Sequence, residues 1–119
     1  MMKTFALKRN EKAILSKVNL ADSFFPRLKG LMFKKKMPLD SALLLSPSNQ
    51  IHTFFMKFPI DVIYLSKDNE IIKIEPSVMP GKVLKTVKGS RSVLELCSGI
   101  AQELSLEIGQ VLTFEADDI

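Results

Sequence analysis

Residues 60–65, Ile-Asp-Val-Ile-Tyr-Leu, form an almost unbroken apolar run only six residues long. A run this short cannot build a helical core element. It reads as a strand buried on both faces, and a strand of that kind needs covering material on each side. Lys67-Asp68-Asn69 follows as a turn signal, and residues 70–75 return as a second strand, so this pair reads as a hairpin. The rest of the chain is parsed around it.

Residues 3–8 and 12–18 read as two short strands around a turn at Arg9, Asn10 and Glu11. Residues 43–46, 51–56, 93–97 and 111–115 add further strands. Residues 82–88 read as an irregular edge strand whose lysines protect it from edge pairing. Residues 76–81 hold two prolines and a glycine and read as loop. Between 23 and 33, Phe24, Leu28, Leu31 and Met32 recur at helical spacing, with Ser23 as cap and Pro26 in the first turn. Residues 99–106 suggest a short second helix.

The expectation is an α+β fold: a single small domain over residues 1–119, with a mainly antiparallel, curved, barrel-like β-sheet. One helix from the N-terminal half should pack on that sheet. Long helices alternating with strands are missing, so a doubly wound sheet is excluded. So is a glycine-rich phosphate loop.

The chain has 119 residues, 46% of them hydrophobic and 25% charged, enough for one core without staples. One cysteine excludes an intramolecular disulfide framework, and one histidine excludes sites that need several imidazoles. No apolar run approaches the length of a membrane span. The opening residues, MMKTFALKRN, lack the features of a secretory signal. The expected compartment is therefore cytoplasmic, which a lone thiol fits.

Charge is uneven. Residues 1–60 hold 11 basic and 3 acidic side chains, and residues 61–119 hold 6 and 10. The densest basic stretch is Arg27, Lys29, Lys34, Lys35 and Lys36. Stacking on nucleic-acid bases would need aromatics interleaved with those charges, and only Phe33 lies among them, so no specific nucleic-acid binding is expected.

Three polar residues stand in apolar strand contexts: His52, Asp61 and Glu95. A buried carboxylate is costly unless it is hydrogen-bonded or has a role. His52 as general base with Asp61 or Glu95 orienting it would suit a small hydrolase-type enzyme, with Cys97 as a weaker nucleophile. A metal-assisted enzyme could use the same groups, although no metal-ligand spacing or cofactor motif is present. Against these, Asp61 at a strand start would accept backbone N–H bonds, Glu95 would pair with a cation across the sheet, and Cys97 would be a small apolar residue. Alternation along 51–56 puts His52, Phe54 and Met56 on one face. It puts Ile51, Thr53 and Phe55 on the other, which is expected to be core.

The segments ADSFFPRLKGLMFK, IHTFFMKFPIDVIYLSKDNEIIKI, SRSVLEL and CSGIA, in this order over about residues 18–115, resemble domain-of-unknown-function family 192. The carrying motifs are Gly30-Leu31-Met32, Phe55-Met56-Lys57, Pro59-Ile60-Asp61, residues 93–96 and Gly99. Many members have Trp at the place of Phe55, and a small residue or Pro at that of Cys97. The resemblance implies a small β-rich domain with a helix near its start, and no established reaction. The function expected is a small non-catalytic binding or accessory domain. Its shallow apolar groove, formed by His52, Met56, Lys57 and Asp61, would take a small ligand or a peptide from a protein partner.

Overall fold

In the computed structural model, residues 3–116 are described, except the side chains of Phe24, Phe25 and Leu28. The chain runs β1 (Thr4–Arg9), β2 (Lys12–Ala21), α1 (Phe24–Lys29), β3 (Ser41–Leu45), β4 (Ile60–Leu65), β5 (Ile71–Val78), β6 (Ser92–Cys97), α2 (Ile100–Glu103) and β7 (Thr113–Ala116). The seven strands form one sheet in the order β5-β4-β6-β3-β2-β1-β7.

The sheet is open instead of barrel-like, and it is mixed: of its six strand pairings among the described residues, five are antiparallel and one is parallel. β2 pairs parallel with β3, with Lys17 opposite Ser41 and Ala21 opposite Leu45. A parallel pair needs a crossover, and residues 22–40 supply it. β5 and β7 are the two edges. They are not paired strand to strand: β7 pairs with β1, and the chain entering β5 meets the chain entering β7 through a Glu70–Val111 bridge and bonds such as the Ile71 amide to the Gln110 carbonyl over 2.8 Å.

The expected helix over 23–33, packed along the sheet, is also corrected. α1 is a six-residue segment ending at Gly30, whose φ of 50° and ψ of −125° turn the chain out of the helix. Ser23 makes no side-chain cap bond. Leu31 and Met32 kept the helical spacing in sequence, but they lie in the turns after Gly30. Leu31 is buried and Met32 half-buried there. The Phe24 and Leu28 side chains lie outside the described residues.

Residues 51–56 do not form a strand. His52 makes one bridge to Val83, and the chain then turns, with the Met56 amide donating to the Thr53 carbonyl over 3.3 Å. Phe55 has φ 62° and is 65% exposed, so it is not core. The expected strand at 82–88 reduces to the Val83 bridge. β5 in contrast continues through Pro76 to Val78, into the segment read as loop. An edge strand tolerates a proline, since its outward N–H has no ladder partner to lose.

The central strands bury both faces, as the apolar runs require. β3, β4 and β6 are buried along their whole lengths. Ala42, Leu44, Ile63, Leu65, Leu94 and Leu96 point into one cluster with Leu7, Val18, Ile100 and Leu112. Leu43, Leu45, Ile60, Val62, Tyr64 and Val93 point into the other, with Leu31, Ile51 and Met56. The second cluster is covered by loops instead of a long helix, and the candidate site lies there. No helix among the described residues is long and apolar enough to cross a membrane.

Candidate functional site

Glu95 sits in β6 opposite Leu43 of β3 and Val62 of β4, at the middle of the sheet. Strand alternation sends its side chain to the face of Leu43, Leu45 and Val62, under the crossover and the 48–56 loop. It is 2% exposed, and its Oε1 is a buried side-chain oxygen with no hydrogen-bond partner among the described residues. The cation expected to pair with it across the sheet is not bonded to it. Burial pushes the Glu95 carboxyl up to about 8. It is therefore largely protonated at neutral pH, an acid able both to donate and to accept.

This carboxyl lines a cavity of about 220 Å³. Leu31, Leu45, Ile51 and Met56 supply apolar wall. Arg27 and Lys29 from α1, with Ser48, Gln50 and His52 from the facing loop, supply polar groups. Gly30 closes one side. A Cβ at that position would lie 3.7 Å from Glu95 Oε1, so the backbone runs close over the acid. The His52 Nδ1 accepts the Phe54 amide over 3.2 Å, and the imidazole stacks on the Phe54 ring with centroids 5.4 Å apart.

Asp61 is elsewhere. It is 1% exposed, and its carboxylate gathers three backbone amides from two segments. Oδ1 accepts from Ser77 over 2.9 Å, and Oδ2 accepts from Gly99 over 3.0 Å and Ala101 over 2.9 Å. It thereby ties the start of β4 to the end of β5 and to α2. It borders a different cavity from that of Glu95. Cys97 lies near the Asp61 side of β6. Its thiol donates to the Met37 carbonyl over 3.1 Å, and burial, then the Asp61 charge, push its pKa up. Both effects disfavour a thiolate. No three His, Cys, Asp or Glu side chains converge as a metal site among the described residues.

Of the residues singled out in the sequence, the fold thus brings His52, Met56 and Glu95 to one cavity and leaves Asp61 and Lys57 off its lining. Arg27, Lys29 and Gly30 complete that lining and were not read as partners of Glu95. The available signal was Gly30 inside an apparent helix, within the basic stretch from Arg27 to Lys36.

The sequence pattern of family 192, described as uncharacterised ACR, matches residues 5–114, nearly the whole chain. The chain belongs to domain-of-unknown-function family 192. Family 192 relatives include a UPF0127 protein of Thermococcus sibiricus, 28% identical over 93% of this chain and 74% of its own length. Another, from Pyrococcus furiosus, is 31% identical over 85% of this chain and 89% of its own. The same fold is seen in a protein of unknown function from Novosphingobium aromaticivorans, with a TM-score of 0.81 at 18% identity, covering 94% of this chain and 84% of that one. A Sinorhizobium meliloti protein provisionally called a transcription regulator has a TM-score of 0.82 at 21% identity, covering 96% and 94%. At these identities the likeness concerns the fold alone.

Proposed function

We propose that this family 192 chain acts as a single small binding domain whose ligand occupies the cavity over Glu95. The observation that carries this reading is the orphaned Glu95 Oε1. A buried polar atom without a partner costs about 1–3 kcal/mol, and a ligand that supplies the partner recovers it. Arg27 and Lys29 on the same lining favour an anionic group at the ligand's other end. Leu31, Ile51 and Met56 favour a short apolar middle. An amino acid, or the end of a peptide, has this layout: amine toward Glu95 and carboxylate toward the two cations.

The test is thermal unfolding of the full chain with each free amino acid and a set of dipeptides at millimolar concentration. At least one should raise the midpoint by mass action in the wild type and leave Glu95→Leu unmoved. No shift with any member would sink the amino-acid-like ligand.

A second reading is supported by the shared lining of His52 and Glu95 and by the protonated state of that acid. Such an acid could donate a proton to a bound substrate, with His52 as the partner base. Chromatography of the same mixtures separates the two readings. A recovered, unchanged ligand supports binding, and one consumed by wild type but not by Glu95→Gln supports catalysis.

A further inference from the structure

Thr53 locks the 52–56 turn onto the 79–83 loop. Its amide donates to the Lys82 carbonyl over 2.8 Å, and its carbonyl accepts the Gly81 amide over 2.9 Å. Its hydroxyl donates to the Met79 carbonyl and accepts the Lys82 amide, both over 2.8 Å. Thr53 itself is fully buried. A well-anchored base of this kind would ordinarily carry polar tips. Here it carries Phe54, Phe55, Met79 and Val83, all exposed.

Phe33 joins them from the crossover. Its amide donates to the Phe55 carbonyl over 2.9 Å, and the two rings stack with centroids 5.4 Å apart and planes 24° from parallel. Both residues hold positive φ, 66° at Phe33 and 62° at Phe55. That region suits Gly or Asn and is unusual for a bulky side chain. Both rings are also mostly in solvent, 60% and 65% exposed. The monomer therefore bears strain and exposed aromatic area at the same two residues, without burial in return. Such a combination points to a use outside the monomer.

The surroundings are basic. Lys34, Lys35 and Lys36 follow Phe33 directly, Lys57 lies two residues after Phe55, and Lys82 lies in the anchored loop, all exposed. No Asp or Glu occurs in residues 23–39, 41–60 or 76–94. A protein partner is disfavoured by this ring, since interfaces are depleted in lysine. Base stacking is disfavoured because the two rings already spend one face on each other. Aromatic tips ringed by lysines do match the boundary of an anionic bilayer, where rings enter the headgroup region and ammonium groups meet phosphates.

We infer that this face docks on anionic phospholipid surfaces, with the Phe33–Phe55 pair as the inserted element and Lys34–Lys36, Lys57 and Lys82 as the electrostatic contact. None of these residues lines the Glu95 cavity, so the two readings have separate tests.

The experiment is co-sedimentation of the full chain with vesicles of phosphatidylcholine, with and without about one third phosphatidylserine. The chain should pellet with the anionic vesicles, stay free with phosphatidylcholine alone, and be released by about 0.5 M salt. The double variant Phe33→Asn, Phe55→Asn removes the rings and suits the positive φ at both positions, so it should fold. It should bind at least roughly tenfold more weakly, as should Lys34→Gln, Lys35→Gln, Lys36→Gln. Wild-type chain that ignores anionic vesicles overturns the inference. So do variants that bind like wild type, or tighter binding to a single-stranded oligonucleotide than to vesicles.

Discussion

Gly30 passes directly over Glu95: a side chain begun at position 30 would meet Glu95 Oε1 at 3.7 Å. That distance is ordinary contact, so a methyl group fits in space. The backbone is the obstacle. With φ 50° and ψ −125°, Gly30 lies in a region that side chains rarely adopt, and outside the left-handed helical well that Asn tolerates. Gly30→Ala should cost about 1–3 kcal/mol, and Gly30→Asn should fail to recover it. Urea midpoints of both variants test this. An Asn variant as stable as wild type would mean that Gly30 relaxes into the ordinary left-handed well.

Glu95 should make stability fall as pH rises. Its folded pKa, about 8, stands above the ordinary value of 4.5 for the free side chain, so the native state holds a proton that the unfolded state releases. The favourable contribution is fully present below the unfolded value and is lost between there and the folded value, at up to about 1.4 kcal/mol per pH unit. Glu95→Gln removes this dependence. The urea midpoint of wild type should drop from about pH 5 to about pH 8 relative to the variant. Parallel profiles for the two proteins would show that the carboxyl is solvated after all.

Thr53 gives a cleaner test of a hydroxyl, because Val keeps its shape. Thr53→Val strands the Lys82 amide and removes the donor to the Met79 carbonyl. The expected loss is about 1–3 kcal/mol, with Thr53→Ser losing less. Hydrogen exchange at Lys82 should speed up in the Val variant at the same time. An unaltered Lys82 rate would mean that the loop is held by its other bonds.

The sequence was most readable where a segment's own pattern decides its state. Residues 60–65 are β4 with no shift in bounds, and the turn at Asn69, with φ 62°, follows where Lys67-Asp68-Asn69 marked it. Alternation misled at 51–56, because apolar residues that serve as loop cover and as exposed tips can mimic a strand. Helical spacing misled beyond Gly30 for a related reason: Leu31 is apolar because it caps the second core cluster, not because it continues a helix. Strand partners carry no local signal, so the parallel pairing of β2 with β3 was out of reach. Glu95 was visible as a polar residue in an apolar strand. Its placement under Gly30, Arg27 and Lys29 was not, since those residues belong to the crossover, more than sixty positions earlier in the chain.

Asp61 was expected to satisfy nearby backbone, and its three amide partners give that expectation a quantitative form. They come from Ser77 at the end of β5 and from Gly99 and Ala101 at the start of α2. Asp61→Asn keeps one oxygen, which can still serve Gly99 and Ala101, but it turns an NH2 group toward the Ser77 amide. Two donors then face each other, and the loss should be roughly 1–3 kcal/mol. Asp61→Ala leaves all three amides without this acceptor in a buried place and should cost more than the Asn variant. Ser77, Gly99 and Ala101 should report the damage together, as faster amide exchange in Asp61→Ala and as faster exchange mainly at Ser77 in Asp61→Asn. The decisive measurement is urea unfolding of the three proteins side by side. If both variants unfold at the wild-type midpoint, the amides have found water or other acceptors, and Asp61 is held in place for a purpose other than stability.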